Sequence, residues 1–333
     1  MSSTPNLFTY ATSELSQDAV IAYLLAWADP TYQNVEGKMH AIGQHFVRKL
    51  LQLHDVNIGV ISSVEVKAQH RHIDVLAHVV SNQGRYTLVI EDKIHAGSYN
   101  NLSKYVEAAG HAYPNAELRG IYLRTGSQAD YSAIEDKDFK VLDRTTFLKF
   151  LESEASRGLS NAILLEYRQH LRNLENEYAA YQSSAIKDWN DKAWVGFYHD
   201  QLLKSNELNF ASYDYIPNPQ GGFQGCWWHR ESTRDFAGYP VYIQLEEHIL
   251  SFKVGPVEDK GQRTATVRKV YQHIQEGLHD KIAYGIERPR RLSPGKYMTA
   301  ARVDLIDHLG ESATCNNLFY YLKQVQDLYY RLF

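Results

Sequence analysis

The stretch Arg71-His72-Ile73-Asp74-Val75-Leu76, followed by Tyr86-Thr87-Leu88-Val89-Ile90-Glu91-Asp92-Lys93, places acidic residues and a lysine on segments that otherwise read as buried strands. Ile73 to Val80 and Tyr86 to Ile94 are rich in Val, Ile, Leu and Tyr, and Ser81-Asn82-Gln83-Gly84 between them is a turn signal. Side chains alternate faces along a strand, so Glu91 and Lys93 project to one side and Asp92 to the other. If the two strands pair as a hairpin, Asp74 comes within reach of the Glu91/Lys93 face. Ionised groups close an apolar strand where they are paired, bind metal or do chemistry.

Outward from this pair, Ser13-Glu14-Leu15-Ser16 opens a helical pattern through Leu15, Ala19, Val20, Tyr23, Leu24 and Trp27, which Asp29-Pro30 stops. A second helix is expected over about Lys38 to Leu53, and a strand over Ile61 to Lys67 precedes the two already named. Helical spacing returns from Tyr99 to Ala109. Gly120 to Arg124 and Phe139 to Leu142 read as strands, with helices over Thr145 to Glu152 and Asn161 to Tyr181. This order suits a mixed central sheet flanked by helices, an α/β core. Gln182-Ser183-Ser184 reads as a linker. Beyond it come a helix over Trp189 to Leu203, strand-like pieces at Gly225 to His229, Val241 to Leu245 and Leu250 to Val254, and helices over Thr264 to His279 and Ser312 to Leu332. The expected division is a first domain over 1–184 and a C-terminal α+β domain over 185–333.

The 333 residues, 44% hydrophobic and 22% charged, suit a globular protein with a sizeable core. No apolar run approaches the ~18 residues that span a bilayer. The N-terminus has no basic segment leading into an apolar one, and Cys226 and Cys315 make neither a disulfide framework nor a zinc site. A cytoplasmic setting is expected. A net charge of -4 argues against coating nucleic acid by charge alone, yet leaves room for an enzyme acting through a local patch. Lys253 to Arg302, rich in Lys and Arg, is either such a patch or a solvated helix face.

Phosphodiester cleavage needs charge neutralised on the phosphate and a water made nucleophilic, and a divalent metal does both. Magnesium takes oxygen ligands and is commonly held by one or two protein carboxylates, a demand that Asp74 and Glu91 fit. A neighbouring lysine orients or deprotonates the attacking water, or stabilises charge on phosphorus. A strand carrying Asp, a turn, an apolar strand ending Glu-Asp-Lys and a following helix resemble the core of the PD-(D/E)XK nuclease superfamily over about residues 10–180. Ile73-Asp74-Val75 stands where that family has its Asp, without the preceding proline, and Glu91-Asp92-Lys93 stands at the (D/E)-x-K. Asn101-Leu102-Ser103-Lys104-Tyr105 has the spacing of a Gln-x-x-x-Tyr found on the next helix in one branch, with Asn for Gln.

The resemblance implies a restriction-endonuclease-like core and a Mg2+-dependent nuclease, with Mn2+ as an alternative ion. Asp74, Glu91, Lys93 and Tyr105 would be catalytic. Asp74, Glu91 and the Asp92 carbonyl would hold metal, helped by an acidic residue of the first helix: Glu14, with Asp18 as rival. DNA is the expected partner, in phage defence or DNA processing, with a homo-oligomer or protein partner served by the C-terminal domain. An RNA-directed nuclease and a catalytically inactive nuclease-like interaction module remain alternatives, as does a structural salt-bridge cluster at Asp74, Glu91 and Lys93. Glu14 also reads as a first-turn acid favoured by the helix dipole, and Tyr105 as core.

Other features weigh less. His70, His72, His78 and His95 lack a metal-ligand spacing. Gly221-Gly222 lacks the rest of a phosphate loop, and no nucleophile elbow is present. Tyr213, Tyr215, Phe223, Trp227 and Trp228 form an aromatic concentration that reads first as core and second as a stacking surface for unpaired bases.

Overall fold

The structure, a computed structural model, describes residues 5–94, 101–153, 156–205, 207–217, 222–228, 234–278, 284–289 and 295–333. The chain folds as two compact units, Met1–Glu175 and Asn176–Phe333.

In the first unit, helices α1 (Glu14–Ala26) and α2 (Gly37–Gln52) precede a meander of β1 (Ile61–His70), β2 (Ile73–Ser81) and β3 (Gly84–Lys93). There follow α3 (Leu102–Ala112), β4 (Glu117–Arg124), the single turn α4 (Ser132–Glu135), β5 (Phe139–Asp143), α5 (Arg144–Leu151) and α6 (Ala162–Ala179), the last running past the division. The sheet order is β1-β2-β3-β4-β5, antiparallel across the meander and parallel from β3 to β5. This is the mixed sheet expected from the order of elements. α4 escaped sequence reading because one helical turn carries too little periodicity.

Both faces of the sheet are covered, which is why β3 is buried continuously from Tyr86 to Asp92 rather than in alternation. On one face Leu88, Ile90, Val75 and Ala77 pack with Leu24, Phe46, Phe147 and Leu164 of α1, α2, α5 and α6. On the other, Val89, Leu76 and Tyr122 pack with Leu102, Ala109 and Ile134 of α3 and α4. The α1–α2 crossing is close: a Cβ on Gly43 would stand 2.6 Å from the Ala28 nitrogen and 2.9 Å from the Leu24 carbonyl oxygen.

The second unit holds α7 (Asp191–Phe197), strands β6 (Phe210–Ile216), β7 (Phe223–Trp228), β8 (Arg234–Phe236), β9 (Tyr239–Glu246) and β10 (Ile249–Val254), then α8 (Arg263–Gly277), β11 (Met298–Asp304), α9 (Leu305–Leu309) and α10 (Cys315–Leu332). Its antiparallel sheet runs β11-β10-β9-β7-β6, with β8 paired to β9. β11 lies within the basic stretch and has no alternation of large apolar residues, so sequence reading passed over it, as it did β6 and β8. The expected helix over Trp189 to Leu203 is shorter as α helix and continues as a wider π-helical turn, Tyr198–Leu203. Tyr213, Trp227 and Trp228 are buried, and so serve the core rather than a stacking surface.

Candidate active site

β2 and β3 stop pairing where the charges begin. The ladder's last pair is Val75 with Ile90, and beyond it the carboxylate of Asp74 takes the place of a backbone partner: its Oδ2 accepts from the Asp92 N–H at 2.9 Å. β3 continues against β4, with Glu91 opposite Tyr122 and Lys93 opposite Arg124. The strand end is thus held on one side by a side chain and on the other by a strand.

Lys93 is the hub. Its Nζ donates to the Asp92 carbonyl at 2.6 Å and lies 2.9 Å from Glu91 Oε1, 3.6 Å from Asp74 Oδ2 and 3.6 Å from Glu14 Oε2. The family resemblance assigned these same residues to metal. The oxygens stand around an ammonium rather than around one another. Accordingly, no group of three Asp, Glu, His or Cys side chains is placed to hold a metal ion among the described residues. Surrounding carboxylates raise Lys93 above the ordinary lysine range although burial opposes them.

Glu91 is 5% exposed, and burial, with the charge of Asp74, pushes its carboxyl up to about 7 against the pull of Lys93. Its Oε2 is buried with no hydrogen-bond partner. An orphaned hard oxygen beside two further oxygens already gathered on a cation is the donor set a small divalent ion takes. The residues present therefore fit such an ion.

α1 supplies three polar side chains to this end of the sheet. Ser13 caps the helix, accepting from the Ser16 N–H, and sets Glu14 in the first turn. Glu14 Oε1 accepts from the Ile94 N–H at 3.2 Å, so the residue faces the site instead of merely complementing the helix dipole. Asp18 is 2% exposed, accepts from Gln69 Nε2 at 2.8 Å, and is raised to about 7 by burial and by Asp74. Glu14 and Asp18 are therefore both at the site. Gln17, between them, donates to Asp92 Oδ1 and accepts from Thr125 Oγ1 at 3.0 Å. Asp92 is fully buried, and its carboxyl is pushed well above the usual range by that burial.

Gln17, Gln69 and Thr125 went unnoticed in the sequence. Gln17 had a signal, a polar residue on the α1 face that carries Ile21 and Leu24. Gln69 had none, because the left-handed residues Gln69, Arg71 and His72 of the β1–β2 turn are what aim it. Asn101 sits just ahead of α3 rather than within it, and its backbone carbonyl accepts from the Tyr105 N–H at 3.1 Å. Burial, with the charge of Glu91, raises the Tyr105 phenol above its ordinary range.

The family model of the PD-(D/E)XK nuclease superfamily matches residues 5–215, well over half of the chain. The chain belongs to this superfamily. No curated protein and no solved structure matches it. Of the histidines noted in the sequence, His78 stacks on Tyr113 with centroids 4.3 Å apart and hydrogen-bonds Thr87, while His95 and Tyr99 lie outside the described residues. No helix among the described residues is long and apolar enough to cross a membrane.

Proposed function

We propose that this chain is a Mg2+-dependent nuclease that hydrolyses phosphodiester bonds in DNA, with Mn2+ able to replace Mg2+. One observation carries the reading. Carboxylate oxygens of Asp74 and Glu91 and the Asp92 carbonyl converge on the Lys93 ammonium where the β2–β3 ladder ends. Asp74, Glu91 and the Asp92 carbonyl would hold the ion, with Glu14 beside them. Once bound there, the ion would supply charge neutralisation at the phosphate and a water of lowered pKa.

The chain's own residues do the rest. Lys93 would donate from its ammonium to the attacking water or to a phosphate oxygen. Tyr105, on α3, would donate its hydroxyl toward the phosphate or accept from the lysine. Water adds to phosphorus and gives its proton to solvent, the P–O3′ bond breaks and O3′ takes a proton from solvent, so the products carry a 5′-phosphate and a 3′-hydroxyl. The second unit selects substrate or partner, and DNA processing, including phage defence, is the setting for such chemistry.

Incubation with duplex DNA, single-stranded DNA and RNA, in Mg2+, Mn2+ or EDTA, tests this. DNA should be cut only with metal, and Lys93→Ala should reduce cutting by ~100-fold or more, the usual scale for losing a positioned donor. Undiminished cutting by both Lys93→Ala and Glu91→Ala would sink the proposal, and cutting of RNA alone would reassign the substrate.

A further inference from the structure

α2, α5 and the segment between α2 and β1 enclose a second pocket in the first unit, of about 500 Å3. None of its lining residues belongs to the cluster around Lys93. Its wall at Val56 and Ile58 leads into β1, whose first residue, Ile61, pairs with Ser81 at the end of β2 opposite Asp74. The volume falls within the range of small-molecule sites.

The charge of its lining has one sign. Arg48, Lys49 and Lys149 face the pocket, and no carboxylate does among the described residues. Arg48 is tied down by neutral acceptors, the Gln44 side chain at 3.1 Å and the Gly59 carbonyl at 3.1 Å, so its guanidinium is oriented without being neutralised. Neither Lys49 nor Lys149 makes an ion pair among the described residues. The floor is apolar, formed by Val56, Ile58 and Phe150. Uncompensated cations beside an apolar surface suit a ligand that is anionic at one end and flat and poorly solvated at the other.

We propose that this pocket binds a nucleotide, its phosphate against Lys49, Lys149 and Arg48 and its base on the Val56–Ile58–Phe150 floor. The nucleotide is either free or one unit of a strand. The site needs no metal and none of Asp74, Glu91 and Lys93, so it stands or falls apart from the hydrolytic reading.

Calorimetric titration of the full chain in EDTA tests it, with deoxyadenosine 5′-monophosphate, phosphate-free deoxyadenosine, inorganic phosphate and a short single-stranded oligodeoxynucleotide as probes. The monophosphate or the oligonucleotide should bind at least tenfold more tightly than deoxyadenosine. The monophosphate result identifies a free nucleotide as the source, and binding of the oligonucleotide alone identifies a strand. Lys49→Ala/Lys149→Ala should weaken binding about tenfold, the factor corresponding to ~1.4 kcal/mol. Lys49→Arg/Lys149→Arg should retain it. Equal binding of deoxyadenosine, no binding of either phosphate-bearing nucleotide probe, or an undiminished affinity in the Ala/Ala variant would overturn the proposal.

Discussion

Lys93 holds together carboxylates that would otherwise repel. On the proposed reading it would be a competitor for the ion as well as a participant in hydrolysis. Lys93→Met should therefore bind Mn2+ at least as tightly as the unaltered chain while losing cleavage, a split that calorimetry and a cutting assay read separately. A structural lysine would give the opposite, weaker binding through local collapse. The buried acids add a pH dependence. Glu91 and Asp18 both stand near 7 in the folded chain, against ordinary values of 4.5 and 3.8. A raised folded pKa means that the native state holds protons the unfolded chain has released, so this contribution to stability is present below about pH 4 and lost as the pH rises to about 7. The metal-free protein should melt at a lower temperature at pH 8 than at pH 5, and Glu91→Gln should flatten part of that slope. Saturating Mg2+ should recover ~2.7 kcal/mol at pH 8 when present at a hundred times its Kd. At this scale sequence reading found the acids and the lysine, because charge at the end of an apolar strand is conspicuous. It did not find Gln17, Gln69 and Thr125, whose roles depend on three elements meeting.

Elements fix those residues in space, and the crossing of α1 over α2 is the narrowest point in that support. Gly43→Ala inserts a methyl against backbone of the α1 C-terminal end, where nothing flexible can yield. The expected penalty is ~1–3 kcal/mol, read by urea denaturation. Because α1 carries Glu14, Gln17 and Asp18, cleavage should fall by more than the unfolded fraction accounts for. A drop in activity that matches the unfolded fraction would show that α1 is scaffold alone. The strands and long helices of the first unit were legible because their apolar periods are intact; the second unit's missed strands were not, since β11 reads Met-Thr-Ala-Ala-Arg-Val-Asp and packs by context.

At the scale of the whole molecule, two units with separate interiors should respond separately. Differential scanning calorimetry should resolve two transitions, and Mg2+ should raise only the one belonging to the unit that contains Glu91. Val270→Ala, in the buried face of α8, should lower the other and leave the Mg2+ shift intact, with a cost of ~1–3 kcal/mol for the removed methyl groups and the cavity they leave. A single transition moved by both would show that the units unfold together. The ammonium at the centre of the site also bears on the order of events during synthesis. Small zinc domains wait for their ion before they can fold. Here the chain brings its own cation on Lys93, so on the proposed reading folding would not wait for a divalent ion. Readiness to fold and readiness to cut would then be separate moments, with the supply of free divalent ion governing only the second.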